Sequence, residues 1–168
     1  MELYIRQRVF SLGDKYDVYN EQQEPVYHVQ GELFSWGAKI HLYDLSGREL
    51  YFIRRKLLAF LPEYAVFQGD TFCARIKKEL SFLTPRLGVE SSFGSFEITG
   101  NFLDMDYEIR KDGTPLGELH KKWLSWGDTY LLSIRDDKDA AFFTALAIAV
   151  DNCLHNDRNS GGNAFFSS

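Results

Sequence analysis

The sequence predicts a mainly β protein, a barrel of about twelve short strands, closed or nearly so, around one buried C-terminal helix. Three observations carry this expectation. Short alternating apolar and polar segments recur along the 168 residues with turn residues between them. The chain holds 14 Phe, 9 Tyr and 3 Trp against 4 Pro, and aromatic side chains favour strands. Residues 140–150 contain no charged side chain and one polar one, Thr144, so that segment has no face fit for water.

The strands follow in order. Residues 3–10, 15–20 and 26–34 read as the first three. Residues 38–44 set Ile40 and Leu42 against Lys39, His41 and Tyr43. The turn Leu45-Ser46-Gly47-Arg48 leads into a returning strand, 49–56. A strand at 64–68 precedes 74–80, where Ala74, Ile76 and Leu80 alternate with Arg75, Lys77 and Glu79. Strands near 86–91 and 95–100 come next. Residues 107–111 run into Asp112-Gly113, a tight-turn dipeptide. Residues 115–123 return, and 129–135 close the series. So many short strands at regular spacing imply a sandwich or a barrel.

The helix decides between the two. Asp136, Asp137 and Asp139 stand where it begins, which suits a cap and the positive end of the helix dipole. From Asp139 to Leu154 it spans roughly 24 Å, short of the ~30 Å of a bilayer core. Asp151 and Asn152 also interrupt the apolar run. A span is not expected; a helix in a barrel lumen is. Alanines at 140, 141, 145, 147 and 149 keep it slim, and Phe142, Phe143, Leu146, Ile148 and Val150 fill the space to the wall. Residues 1–155 are thus expected to form one domain. Residues 156–168, rich in Asn, Ser and Gly, read as a disordered tail despite Phe165 and Phe166.

Ser-Trp-Gly occurs twice, at 35–37 and 125–127. In register with these copies, Tyr16, Val18, Pro25, Val29 and Leu42 meet Tyr107, Ile109, Pro115, Leu119 and Leu132. A fainter copy places Tyr64, Val66 and Phe82 likewise. The reading is an internal repeat of strand–turn–strand–corner–strand units. Gly37 and Gly127 then permit tight corners, while Trp36 and Trp126 cap the core end with their apolar bodies. A pair of ligand-stacking indoles is the alternative.

Little chemistry is legible. His28, His41, His120 and His155 show no metal-ligand spacing with one another or with a Cys. Cys73 and Cys153 form no CxxC and read as free core or rim thiols. Asp104, Asp106 and Glu108 alternate on one strand face, a solvated acidic edge rather than a calcium loop. No nucleophile elbow, P-loop or dinucleotide fingerprint occurs. No catalytic residue, metal or cofactor is therefore expected.

Charge is more informative. The net charge of −5 argues against nucleic acid as a partner. Residues 48–86, however, carry 8 basic and 4 acidic side chains. The candidate anion-binding residues are Arg54, Arg55 and Lys56, then Arg75, Lys77 and Lys78, then Lys121 and Lys122. Gathered on one side of a barrel they would hold phosphate-rich headgroups. Dispersed, they would only keep an outer surface soluble.

Four stretches, beginning at GELFSWGAKIHLYD, CARIKKELSFL, FEITGNFLDMDYEIRKDG and AAFFTALAIAVD, occur in an order that resembles the LURP-one-related family. The resemblance covers roughly residues 2 to 154. It implies the Tubby C-terminal-domain fold, also predicted for phospholipid scramblases: a twelve-stranded barrel around a central C-terminal helix. It implies little about activity. Tubby proteins bind phosphoinositide headgroups through side chains on the barrel, but no residue here matches that site, and none is carried over. The expectation is a non-enzymatic module binding anionic lipid headgroups, cytoplasmic and peripheral to a membrane. The alternatives are a protein-interaction scaffold and, behind it, an enzyme with a pocket at the barrel mouth.

Overall fold

The computed structural model describes residues 1–7, 15–32, 35–79, 86–94, 96–101, 106–124 and 127–155. Their alternating patterns form twelve strands: β1 (Glu2–Gln7), β2 (Lys15–Tyr19), β3 (Pro25–Gly31), β4 (Lys39–Asp44), β5 (Glu49–Arg55), β6 (Glu63–Gln68), β7 (Thr71–Glu79), β8 (Arg86–Ser91), β9 (Phe96–Asn101), β10 (Asp106–Lys111), β11 (Thr114–Leu124) and β12 (Gly127–Ile134). A 3₁₀ turn, Asp137–Asp139, leads into α1 (Ala140–His155).

All the ladders are antiparallel, and each strand lies beside its sequence neighbour except at one place. The order is β8-β7-β6-β5-β4-β3-β2-β1-β12-β11-β10-β9. β1 and β12, the ends of the sheet in sequence, pair in its middle. β8 and β9, joined by a short turn, become its two edges and pack against each other. The result is a nearly closed barrel whose seam lies between β8 and β9. Closure leaves little strand edge open to pairing with another chain.

The wall curves with help from its hairpins. Register shifts occur between Val18 and Tyr19, Leu42 and Tyr43, Val66 and Phe67, and Ile109 and Arg110. Each lies next to the turn of its hairpin, where a bulge adds twist. The Asp112-Gly113 turn has φ of 49° and 78°, as a tight turn with two left-handed residues requires. Tyr16 lies opposite Val29, and Val29 opposite Leu42. Tyr107, Leu119 and Leu132 are arranged likewise, as are Tyr64, Ile76 and Val89. Tyr16, Tyr64 and Tyr107 are all buried.

α1 fills the lumen. Every residue from Phe142 through Val150 is buried, so the wall surrounds it on all sides. Phe142, Phe143, Leu146, Ile148 and Val150 occupy the gap expected of them. Phe142 meets Tyr51, Phe93 and Phe96 at ring separations of 6.0, 5.5 and 5.7 Å. The polar side chains are satisfied within the helix: Thr144 Oγ1 donates to the Ala140 carbonyl at 2.8 Å and Asn152 Nδ2 to that of Ile148 at 2.9 Å. The 3₁₀ turn is capped by Asp136, whose carboxylate accepts from the Lys138 N–H.

Strand boundaries shift from expectation by a few residues. β3 ends at Gly31 rather than near 34, and β7 begins at Thr71. Residues 8–10, Leu80, Phe82, Asp104, Ser125, Trp126 and the tail 156–168 lie outside the described residues. The two barrel ends differ. At the entry end, where α1 begins, lie the hairpin turns at 45–48, 69–70 and 112–113. At the far end lie the connections 32–38 and 56–62.

Ala149 is fully buried between helix and wall. Ala149→Leu is expected to cost about 1–3 kcal/mol through overpacking, read as a lower urea midpoint with an unchanged slope.

Candidate anion-binding face and the far end of the barrel

The strand pairing places the predicted cations one by one. Arg54 on β5 lies opposite Ala65 on β6, and Ala65 opposite Arg75 on β7. Ala65 between the two arginines leaves room over the middle strand. Lys56 follows Arg54 by two positions, and Lys77 follows Arg75 by two. These four therefore share one outer face. Arg55 and Lys78 have the opposite parity, shared with the inward Ile53 and Ile76, and stand half-buried at the far end of the wall.

Lys121 and Lys122 do not join that face. They lie on β11, six strands from β5 one way round and four from β7 the other. Lys121 Nζ sits 5.9 Å from the centre of the Tyr130 ring, and Lys122 points outward. Of the eight candidates, four share one outer face, and Lys121 and Lys122 lie elsewhere on the wall. Spacing along a chain does not say how far round a barrel two strands will lie. All but Arg75, at mid-strand, stand toward the far end. Asp70, Asp112, Asp136, Asp137 and Asp139 stand at the entry end, with Arg48 and Lys138 beside them. The candidate cations thus gather toward the far end, and the larger group of aspartates lies at the other.

Partners tune the four cations on the shared face. Glu63, on the outer side of β6 yet buried, receives Lys56 Nζ at 3.2 Å and lies 3.1 Å from Arg75 Nε. The Arg75 contact is an ion pair without hydrogen-bond alignment. Arg75 also reaches Glu90 at 3.2 Å and lies over the Phe72 ring. Arg54 lies 5.2 Å from the centre of the Phe67 ring. Neither Arg54 nor Lys77 enters an ion pair among the described residues. Those two are the cations most open to an outside anion.

The Ser-Trp-Gly corner differs from expectation. Gly37 has φ of +80°, as a tight corner asks. A Cβ there would sit 2.8 Å from Leu57 Cδ2, so glycine also lets the 56–62 connection come close. Ser35 Oγ donates to the Gly37 carbonyl at 2.6 Å. Trp36, however, is 87% exposed and does not cap the core. The corner turns its indole out of the barrel, and the helix already fills the space it would have covered. Gly127 opens β12; Trp126, beside it, lies outside the described residues.

Sequence reasoning missed the loop beside Trp36. Leu57, Leu58 and Phe60 are 51%, 105% and 92% exposed, and Leu58 holds φ of 63°, a conformation L residues rarely adopt. The loop's base is fixed. The Lys56 N–H donates to the Glu63 carbonyl at 2.8 Å, and the Lys78 N–H donates to that of Pro62 at 3.0 Å. Cys153 Sγ lies 3.4 Å from the same Pro62 oxygen. The run Leu57-Leu58-Ala59-Phe60-Leu61 was legible as apolar, but strand alternation could not say that it stands outside.

Inside the far mouth, Asp151 of α1 accepts from Tyr16 Oη at 3.3 Å and from Tyr130 Oη at 3.2 Å. The space there, bounded also by Ile5, Leu119, Ala147 and Ile148, is about 10 Å³, room for about one water. Burial, and then the charges of Asp151 and Tyr130, push the Tyr107 hydroxyl well above its ordinary pKa. Cys73 is buried, and burial pushes its thiol up. Of the acidic strand face, Asp106 accepts from His120 Nδ1 at 2.8 Å, and Glu108 from Arg110 Nε at 2.8 Å. His41 is held between Glu49 and Glu32 and stacks on Phe52. His28 meets Asp17 at 3.0 Å.

This barrel with a filled lumen defines a class, and the chain matches the LURP-one-related family over residues 1–151. It belongs to that family. It is 31% identical over 159 residues to YxjI of Bacillus subtilis strain 168, described as an uncharacterized protein; the match covers 95% of this chain and 97% of that one. An X-ray structure of a protein from Arabidopsis thaliana shares the fold with a TM-score of 0.64 and 16% identity, over 94% of this chain and 91% of the other. Among the described residues no helix is long and apolar enough to cross a membrane.

Two outcomes follow from this geometry. Glu63→Gln removes the charge that both Lys56 and Arg75 approach, and chemical denaturation is expected to show a loss of about 1–3 kcal/mol. Tyr107 ionises later in the folded than in the unfolded chain, so its contribution is present below pH ~10 and declines as pH rises further. Tyr107→Phe should flatten that alkaline decline in a pH series of unfolding midpoints.

Proposed function

We propose that the chain is a non-enzymatic, Tubby-like binding module that docks on anionic lipid headgroups at a cytoplasmic membrane surface. The observation that carries this reading is the outer face shared by Arg54, Lys56, Arg75 and Lys77 across β5–β7. Arginine offers a planar fork and lysine a mobile point charge, and together they suit phosphate oxygens. Arg54 and Lys77 carry the affinity because no carboxylate among the described residues pairs with them. Glu63 and Glu90 orient Arg75 and lower its net charge toward a ligand.

The uneven placement of charge adds to this. An acidic entry end is repelled by an anionic surface and a basic far end is drawn to it, so the barrel approaches far end first.

Flotation with vesicles of phosphatidylcholine alone, or with added phosphatidylserine or a phosphoinositide, tests the proposal. Binding is expected only with anionic lipid, and it should weaken as salt shortens the screening length below ~10 Å. The Arg54→Glu, Lys77→Glu double variant should lose binding while keeping its unfolding midpoint, and Lys122→Glu should change binding less. Equal binding to neutral vesicles, or no loss in the double variant, would overturn it.

A further inference from the structure

The exposed loop beside the cationic face contributes no charge to headgroup binding. We propose that Leu57, Leu58, Phe60 and Trp36 form a membrane-insertion tip, which seats in the headgroup–acyl boundary of an anionic bilayer. The proposal rests on the headgroup reading and adds how the barrel is oriented and what holds it there.

The four side chains belong to two connections that touch. Gly37, next to Trp36, packs so closely on Leu57 that a Cβ at Gly37 would lie 2.8 Å from Leu57 Cδ2. Large apolar side chains this exposed are normal when scattered, but a cluster at one protruding end marks an interaction surface. Among the described residues the other exposed large apolar side chains are Met1, Leu45 and Phe93, none of them in these two connections.

The tip is built to stay out. Its base is closed by the Lys56–Glu63 and Lys78–Pro62 backbone bonds, and Leu58 is turned outward at φ 63°. A leucine held in that region costs free energy, and an exposed one recovers nothing from the core in return. A surface that receives Leu58 supplies what the fold does not. The bonds at its base hold the two ends of the loop together before binding, which lowers the conformational entropy left to lose when it docks.

Charge names the occupant. Arg54, Arg55 and Lys56 lead directly into Leu57, and Lys77 and Lys78 stand just before Glu79 at the end of β7, beside β6. The nearby acids are Glu32, Glu63 and Glu79. Lys39 is paired to Glu32, and Glu63 is already paired. Apolar side chains at the tip and cations just behind them match the two layers of an anionic bilayer surface in order and sign. Trp suits the interface itself, and Phe and Leu the apolar boundary just beneath it. A far-end-down barrel also carries Lys121 and Lys122 toward the lipid and the entry-end aspartates away from it.

The test uses the full chain with a polarity-sensitive fluorophore on Leu58→Cys. Cys73 and Cys153 are buried, so the label goes to position 58. With phosphatidylcholine–phosphatidylserine vesicles its emission should shift to the blue and be quenched by acyl-chain spin labels. The same label on Ser46→Cys, at the entry end, should do neither. Leu58→Gln with Phe60→Gln should weaken vesicle affinity by about tenfold without changing the unfolding midpoint. Vesicle binding with an unshifted, unquenched probe would overturn insertion and leave the headgroup reading intact. No binding to anionic vesicles would remove both. A dimeric mass in solution that becomes monomeric in the double variant would place a second copy on the tip and overturn the proposal.

Discussion

Everything in this fold follows from the need to enclose α1. A helix with no polar face loses free energy wherever it meets water, and each fully buried Leu, Ile or Phe is worth about 1.5–3 kcal/mol. One sheet face would cover half of such a helix. Only a wall that returns on itself covers Phe142 through Val150 at every position. The lumen must then match the helix, hence the buried Ala140, Ala145, Ala147 and Ala149 among larger neighbours. The same enclosure brings β8 and β9 together, because twelve twisted strands around one helix leave their edges adjacent.

That constraint also explains where interaction chemistry can lie. The lumen is largely spent on packing, and the helix's polar side chains are engaged: Thr144 and Asn152 with the helix backbone, Asp151 with Tyr16 and Tyr130. What is left is the outer wall and the two ends. The outer wall carries Arg54 and Arg75 on either side of the small Ala65. The far end carries Trp36 and the Leu57–Phe60 loop. An acidic protein with a basic end need not be attracted to anions overall; it needs only to be oriented by them. A net charge of −5 therefore says less about partners than the placement of those charges does.

The barrel is largely legible in the sequence. Alternation in 38–44 put Ile40 and Leu42 inside, and they are buried. Asp112-Gly113 marked a hairpin, and the apolar run after Asp139 marked the lumen helix. Such features depend on neighbours two to four residues apart, which the chain itself supplies. The candidate site was legible in part. Seven of the eight candidate cations lie on strands and Lys56 just beyond β5, but Lys121 and Lys122 were grouped with Arg54 only because nothing in the chain measures distance round a barrel. Trp36 was expected to cap the core, because Trp-Gly at a corner fits an inward indole as readily as an outward one.

The sequence by itself determined the twelve strands, the apolar helix and the family to which they belong, because periodicity and hydrophobicity act locally and fix what must be buried. Only the tertiary structure decided which cations share a face, which stand free of carboxylates, and that Leu57, Leu58, Phe60 and Trp36 meet outside the barrel. Those are properties of strand order and of two connections touching at Gly37. They arise only when segments distant in the chain are held side by side, and a closed barrel does that.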